Sequence, residues 1–158
     1  MKAFALNLLI ATIWLLLSQS PSPAVFALGF LAGFLLLAAF KSVVGAEDYI
    51  RRWVGLVRFI LLFTREFITA NLNVAWTVLF RPPTTLRPGF VTYDVSGLSR
   101  TEILILSYCL TLTPGTTTVD ISPDFKTLVF HALDAQEPEQ LRAQLDNKLK
   151  PALLAFTR

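Results

Sequence analysis

The sequence predicts a membrane-anchored α+β protein: a hydrophobic helical hairpin, an amphipathic helix, and a small β-α-β-β-α domain with two helices on a three-stranded sheet. Three observations predict it. The chain is 54% hydrophobic with a mean hydropathy of +0.58, high for a soluble domain. The excess is concentrated in two early runs broken by Ser18-Gln19-Ser20-Pro21-Ser22-Pro23. The charge is uneven too: residues 1–83 hold seven basic and three acidic side chains, and residues 84–158 hold seven and eight. The pI near 9.3 therefore belongs to the N-terminal half. A basic excess beside apolar runs points to a membrane surface. The second half carries no basic patch interleaved with aromatics, so nucleic acid is not an expected partner.

The hairpin is expected within residues 1–41, as helices over about 3–19 and 24–40. A spanning helix needs roughly 17–25 apolar residues. The second run reaches the lower limit, and the first does so if Ser18 and Gln19 sit among headgroups. A cleaved signal peptide is the competing reading of the first run, with Lys2 before it and Ser22-Pro23-Ala24 after it; the charge-free second run argues against that. Gly29 and Gly33 form a GxxxG pattern, which lets another helix approach closely. Trp14 or Leu15 of the first helix, or a partner subunit, would pack there. Lys2 precedes the hairpin and Lys41, Arg51 and Arg52 follow it. By the excess of Lys and Arg in cytosolic loops, both ends face the cytosol.

Residues 50–81 form a helix on which Arg51, Arg58 and Arg65 recur every seven residues, within about 40° of one another. Glu66, Thr69, Asn73, Gly55 and Leu62 fall in or beside that sector. Leu56, Val57, Ile60, Phe67, Ile68, Val74 and Val78 fill the opposite side. Such a helix lies in the interface or crosses the bilayer with its Arg stripe against protein; the sequence favours the first and leaves both open. Arg81-Pro82-Pro83 ends it, and residues 82–89 are a linker.

The domain at 90–158 follows. Phe90 to Val95 is a strand. Ser99-Arg100-Thr101-Glu102 is a capping box, so a helix starts there and ends near Leu112, before Pro114-Gly115. Thr116–Ser122 is a strand with Thr117, Val119 and Ile121 on one face, paired by a turn with a strand over Thr127–Asp134. A last helix begins near Glu137-Pro138-Glu139 and lines one face with Leu141, Leu145, Leu149 and Leu153. So small a core is expected to lean on the membrane part or a partner.

Little here suggests catalysis. His131, the single histidine, lies on a strand with Asp120 and Asp134 as possible neighbours but no triad spacing. Cys109, the single cysteine, sits in an apolar helical stretch as a small hydrophobe. No phosphate loop, CxxC or HExxH occurs, so no cofactor, metal or enzymatic activity is expected. Between Ala3 and Phe40 there is no ionisable side chain, and ion paths through membranes use such groups.

Thr111-Leu112-Thr113-Pro114-Gly115-Thr116, followed by Val119-Asp120-Ile121-Ser122 and Val129-Phe130-His131-Ala132-Leu133-Asp134, resembles the E-type component of Mrp-type multisubunit cation/proton antiporters. The hairpin, the Arg-bearing helix with Glu66 and Ala70-Asn71, and the Pro88-Gly89 linker extend the resemblance over nearly the whole chain. It implies an accessory, scaffolding subunit of a bacterial inner-membrane assembly that exchanges Na+ or K+ for H+, with the other subunits and the lipid bilayer as partners. It also implies that larger subunits carry the ion path and that the α+β domain braces cytosolic loops. Gly29, Gly33, Arg58, Arg65, Glu66 and Asn73 are the expected packing or partner residues. Leu112, Thr113, Pro114, Gly115 and Thr116 of that turn, with Asp120 and His131, are expected to be structural. The alternative is a stand-alone membrane-anchored sensor whose soluble domain binds a small ligand.

Overall fold

The computed structural model describes residues 2–158. The chain divides into two compact units, one ending at Val54 and one running Gly55–Arg158.

The first unit is a helical hairpin followed by the start of a long helix. Helix α1 spans Lys2–Leu17 and α2 spans Pro23–Ala39. Ser22 caps α2 by accepting from the Val25 N–H at 3.3 Å, and Pro23 occupies the first turn, where its missing N–H costs nothing. A single turn, α3 (Lys41–Val44), ends at Gly45 with φ +65, a left-handed geometry that glycine adopts without strain. The chain then turns into α4, Glu47–Phe80, 34 residues long and so about 51 Å. Among the described residues no helix is long and apolar enough to cross a membrane; α1 and α2 have 16 and 17 residues. Tyr49 and Trp53 of α4 join Phe4, Phe30 and Phe34 in an aromatic cluster with ring centroids 5.9–6.4 Å apart.

The second unit holds the sheet. Strands β1 (Gly89–Asp94), β2 (Thr116–Ile121) and β3 (Thr127–Ala132) lie in the order β1-β3-β2, all antiparallel. Alternation does what a period of two requires: Val91, Tyr93, Leu128, Phe130 and Ala132 are buried on one face. Helix α5 (Arg100–Leu112) starts at Ser99 with both bonds of the capping box made.

One expectation for β2 fails. The pairing slips between Thr118 and Asp120, with Val119 the extra residue. This bulge turns Ile121 onto the core face opposite Leu128, away from exposed Thr117 and Val119.

The C-terminal helix is interrupted. Helix α6 (Pro138–Gln144) passes through a π-turn at Leu145–Leu149 into α7 (Lys150–Thr157). Pro151 is the cause: it has no N–H to give the preceding turn, and its ring crowds that turn's carbonyl. The wider turn also corrects a drift. A four-residue repeat advances about 40° per step on an α-helix, so the four leucines would otherwise spiral off the core. Instead Leu145 and Leu153 are buried in it, and Leu141 and Leu149 pack against it.

The core takes in more than two helices. Phe59 of α4 belongs to it and Phe63 packs on it, so α4 is a third helix packed on the domain's core. Its apolar residues do not form one face. Gly55, Leu62 and Glu66, expected beside the arginine stripe, turn inward with Phe59 and Phe63. Val57, Ile60, Ile68 and Val78 remain exposed. The cause is angular: Gly55, Phe59 and Glu66 lie within about 40° of one another, on the border of the arginine sector.

Candidate functional site

Glu66, Asn73 and the Thr113–Thr116 stretch, all singled out in the sequence, gather along the seam between α4 and the domain, inside the second unit. At its centre is the Thr113-Pro114-Gly115-Thr116 turn. The last carbonyls of a helix lack intrahelical partners, and threonine hydroxyls bond carbonyls at and just before the end of α5. Thr113 Oγ1 donates to the Cys109 carbonyl at 2.7 Å and Thr116 Oγ1 to the Leu110 carbonyl at 2.7 Å. Thr118 Oγ1 donates to the Ser107 carbonyl at 3.1 Å. Gly115 has φ +93, which fixes glycine there, and its carbonyl accepts from the Leu133 N–H at 2.8 Å. The turn thus locks helix, β2 and the end of β3 together. A threonine-rich stretch just after an apolar helix was the available signal, and only the proline and glycine are legible without the fold.

This turn faces α4 across a groove of about 290 Å³, lined among others by Asn73, Val74, Thr77, Pro114, Gly115 and Asp134. At its end Arg81 Nη1 lies 3.6 Å from Asp134 Oδ2, while Asp134 Oδ1 is buried without a hydrogen-bond partner among the described residues. Next to it, a cavity of about 110 Å³ is walled by Leu62, Phe63, Cys109, Phe130 and Leu145. The ion pair of Glu66 Oε1 with Lys148 Nζ, 3.0 Å, stands on its rim. Burial pushes the Cys109 thiol up to about 11, so it stays protonated near neutrality and is a poor nucleophile.

One further contact completes the seam, and another ties α5 to the end of α7. A Cβ on Gly55 would fall 2.6 Å from the Ala155 carbonyl oxygen, so the α4 backbone lies directly on α7. Glu102, 3% exposed, accepts from the Ser99 N–H and Thr157 Oγ1 at 2.7 Å each and from Arg158 Nε and Nη2 at 3.1 Å. The Arg158 guanidinium first, then the Thr157 and Ser99 bonds, hold its carboxyl down at about 2 against the cost of burial. The capping box was legible; its tie to the C-terminus was not.

The hairpin carries its own packing site. A Cβ on Gly29 would lie 2.7 Å from Trp14 Cβ. Gly33 is the seat for Asn7, which is fully buried and donates through Nδ2 to the Tyr49 hydroxyl at 2.8 Å. Asn7 Oδ1 has no hydrogen-bond partner among the described residues.

Other singled-out residues stand apart. Arg58 and Arg65 are exposed on α4, and Leu112 is exposed at the end of α5. Asp120 is exposed, and its carboxylate accepts the N–H of Ile121 at 2.9 Å. His131 lies on the outer sheet face with its ring edge-on to Phe90, centroids 5.3 Å apart. Among the described residues no hydrogen bond joins it to Asp120 or Asp134, and no three His, Cys, Asp or Glu side chains gather as metal ligands. The arrangement is one for holding elements together.

Comparison with known proteins agrees with the sequence patterns. Residues 7–155 match the family model described as Na+/H+ ion antiporter subunit. The E-type Na(+)/H(+) antiporter subunit of Bacillus subtilis is 32% identical over 97% of this chain and 96% of its own length. That of Alkalihalophilus pseudofirmus is 31% identical over the same shares. A chain in the Mrp complex from Dietzia sp. DQ12-45-1b aligns at 30% identity and a TM-score of 0.49 over 65% of this chain and 96% of that one. A chain of the membrane-bound sulfane sulfur reductase, an archaeal respiratory membrane complex, aligns at 24% identity and a TM-score of 0.57 over 96% of this chain and 98% of that one, which shows a shared fold.

Proposed function

The chain belongs to the Na+/H+ ion antiporter subunit family, and we propose that it is an accessory subunit of a multisubunit monovalent cation/proton antiporter that scaffolds the assembly without carrying the ion path. The observation that carries this reading is the composition of the hairpin. From Ala3 to Phe40 there is no Asp, Glu, Lys, Arg or His, and a route for Na+ or H+ across a bilayer needs such groups. The hairpin's single buried polar side chain, Asn7, is used internally, on Tyr49.

The hairpin sits in the bacterial inner membrane among neighbouring subunits. Its outward surface, with Leu9, Leu16, Leu17, Leu28, Leu31 and Leu35 more than half exposed, suits hydrocarbon or apolar partner helices. Its helices measure about 24 and 26 Å against a hydrocarbon core of about 30 Å, and short helices are accommodated by thinning the bilayer or by oligomerising. Lys2, Lys41, Arg51 and Arg52 favour the cytosol for both ends, so the α+β domain braces cytosolic loops.

A tagged chain purified in mild detergent will bring down much larger multi-span proteins. A lone small species would leave the reading without support. That result would favour a stand-alone ligand-binding module, for which the cavity lined by Phe63, Cys109 and Phe130 is the supporting feature.

A further inference from the structure

We propose that α4, from Gly55 to its end, lies flat on the bilayer, with its outward face in contact with anionic phospholipid.

The inward face rules out a crossing. The domain is fastened along α4 at three places: Gly55 on Ala155, Glu66 to Lys148, and Arg81 to Asp134. Those fastenings span about 39 Å of helix, more than the roughly 30 Å of hydrocarbon in a bilayer. A crossing helix would carry the packed domain into that hydrocarbon. The domain presents exposed Asp94, Asp120, Asp124, Lys126 and Glu139, none of which a hydrocarbon environment tolerates.

The outward face supplies the occupant. Val57, Ile60, Leu61, Ile68, Leu72 and Leu79 are between 51% and 73% exposed. At 100° per residue they fall within a sector of about 120°, and that sector contains no charged residue. One edge of it is made by Arg58, Arg65 and Trp76, which lie within about 20° of one another. All three are exposed, Trp76 by 62%, and neither arginine joins an ion pair among the described residues. That edge stands about 90° from the centre of the apolar sector, which is headgroup level for a helix lying in the plane. Arginine reaches lipid phosphate there and tryptophan takes the amphipathic boundary. The cationic edge complements an anionic headgroup layer.

The inference rests on the chain being a membrane-bound subunit, and the test separates the two. A benzophenone photo-crosslinker is placed at Leu72, at Leu79, or at Asp124 in the β2–β3 turn, in the full chain in membranes of cells with phosphorus-32-labelled lipid. Expected is a lipid-labelled adduct at the chain's own mass for Leu72 and Leu79, with little at Asp124. Its headgroups should be about threefold enriched in phosphatidylglycerol or cardiolipin over the bulk membrane, and Arg58→Gln with Arg65→Gln should bring that ratio to about one. A Leu72 or Leu79 adduct with another polypeptide would overturn the proposal and make this face a protein interface. Labelling equal at all three sites, or lipid without anionic enrichment, would overturn it as well. Co-purification of the tagged chain with larger subunits is read independently, so the subunit assignment can stand while the lipid contact fails.

Discussion

Gly55 and Ala155 meet backbone to backbone: a Cβ on Gly55 would fall 2.6 Å from the Ala155 carbonyl oxygen. Since that atom is backbone, it cannot swing aside. Gly55→Ala is expected to push α4 off α7 and expose Phe59, which packs 5.0 Å from Phe156 ring to ring. The cost should reach about 1–3 kcal/mol, seen as earlier urea unfolding of the detergent-solubilised chain. Gly45→Ala, with no atom within 4 Å of its Cβ, should show only the penalty of its positive φ.

Glu102 makes the C-terminus acid-sensitive. Its folded carboxyl titrates at about 2, below the ordinary value of 4.5. A depressed carboxyl adds stability that is complete above the unfolded value and is lost as pH falls from about 4.5 through about 2. Glu102→Gln should remove that part of the acid transition and lower stability at pH 7 by about 1–3 kcal/mol, as a pH series of urea midpoints would measure. An unchanged acid limb in Glu102→Gln would contradict the assignment.

Asn7 and Tyr49 join the hairpin to the first turn of α4 at 2.8 Å. Tyr49→Phe removes the acceptor and leaves a buried amide N–H2 without it, a loss of about 1–2 kcal/mol. Asn7→Leu should be worse, because Gly33 offers a seat shaped for the smaller side chain. Thermal melting of the full chain in detergent should rank wild type above Tyr49→Phe above Asn7→Leu.

The TPGT turn tests hydroxyls against shape. Thr113→Val and Thr116→Val keep the volume but take hydrogen bonds from the Cys109 and Leu110 carbonyls. Each should cost about 1 kcal/mol, while Thr117→Val on the exposed outer face should cost almost nothing. Amide exchange in the last turn of α5 should quicken in the first two variants only.

The sequence by itself determined most of the elements and their order, because local physics writes them plainly. Uncharged runs split by a proline-rich turn make the hairpin. Ser99 with Glu102 caps α5, and strand alternation chooses the buried face of β1 and β3. The family was legible for a related reason, since the TPGT turn and the strand after it are local patterns. Tertiary structure alone decided which contacts these elements make. Arg158 reaches Glu102 across 56 positions and Lys148 reaches Glu66 across 82, and no periodicity encodes partners that distant. The slip at Val119 and the π-turn before Pro151 depend on what a strand or helix must face, which is set only when the core closes. The same holds for α4. Its residue spacing showed arginines against apolar side chains, but the domain seated along Gly55, Phe59 and Glu66 decided which apolar side was already taken and which was left for another partner.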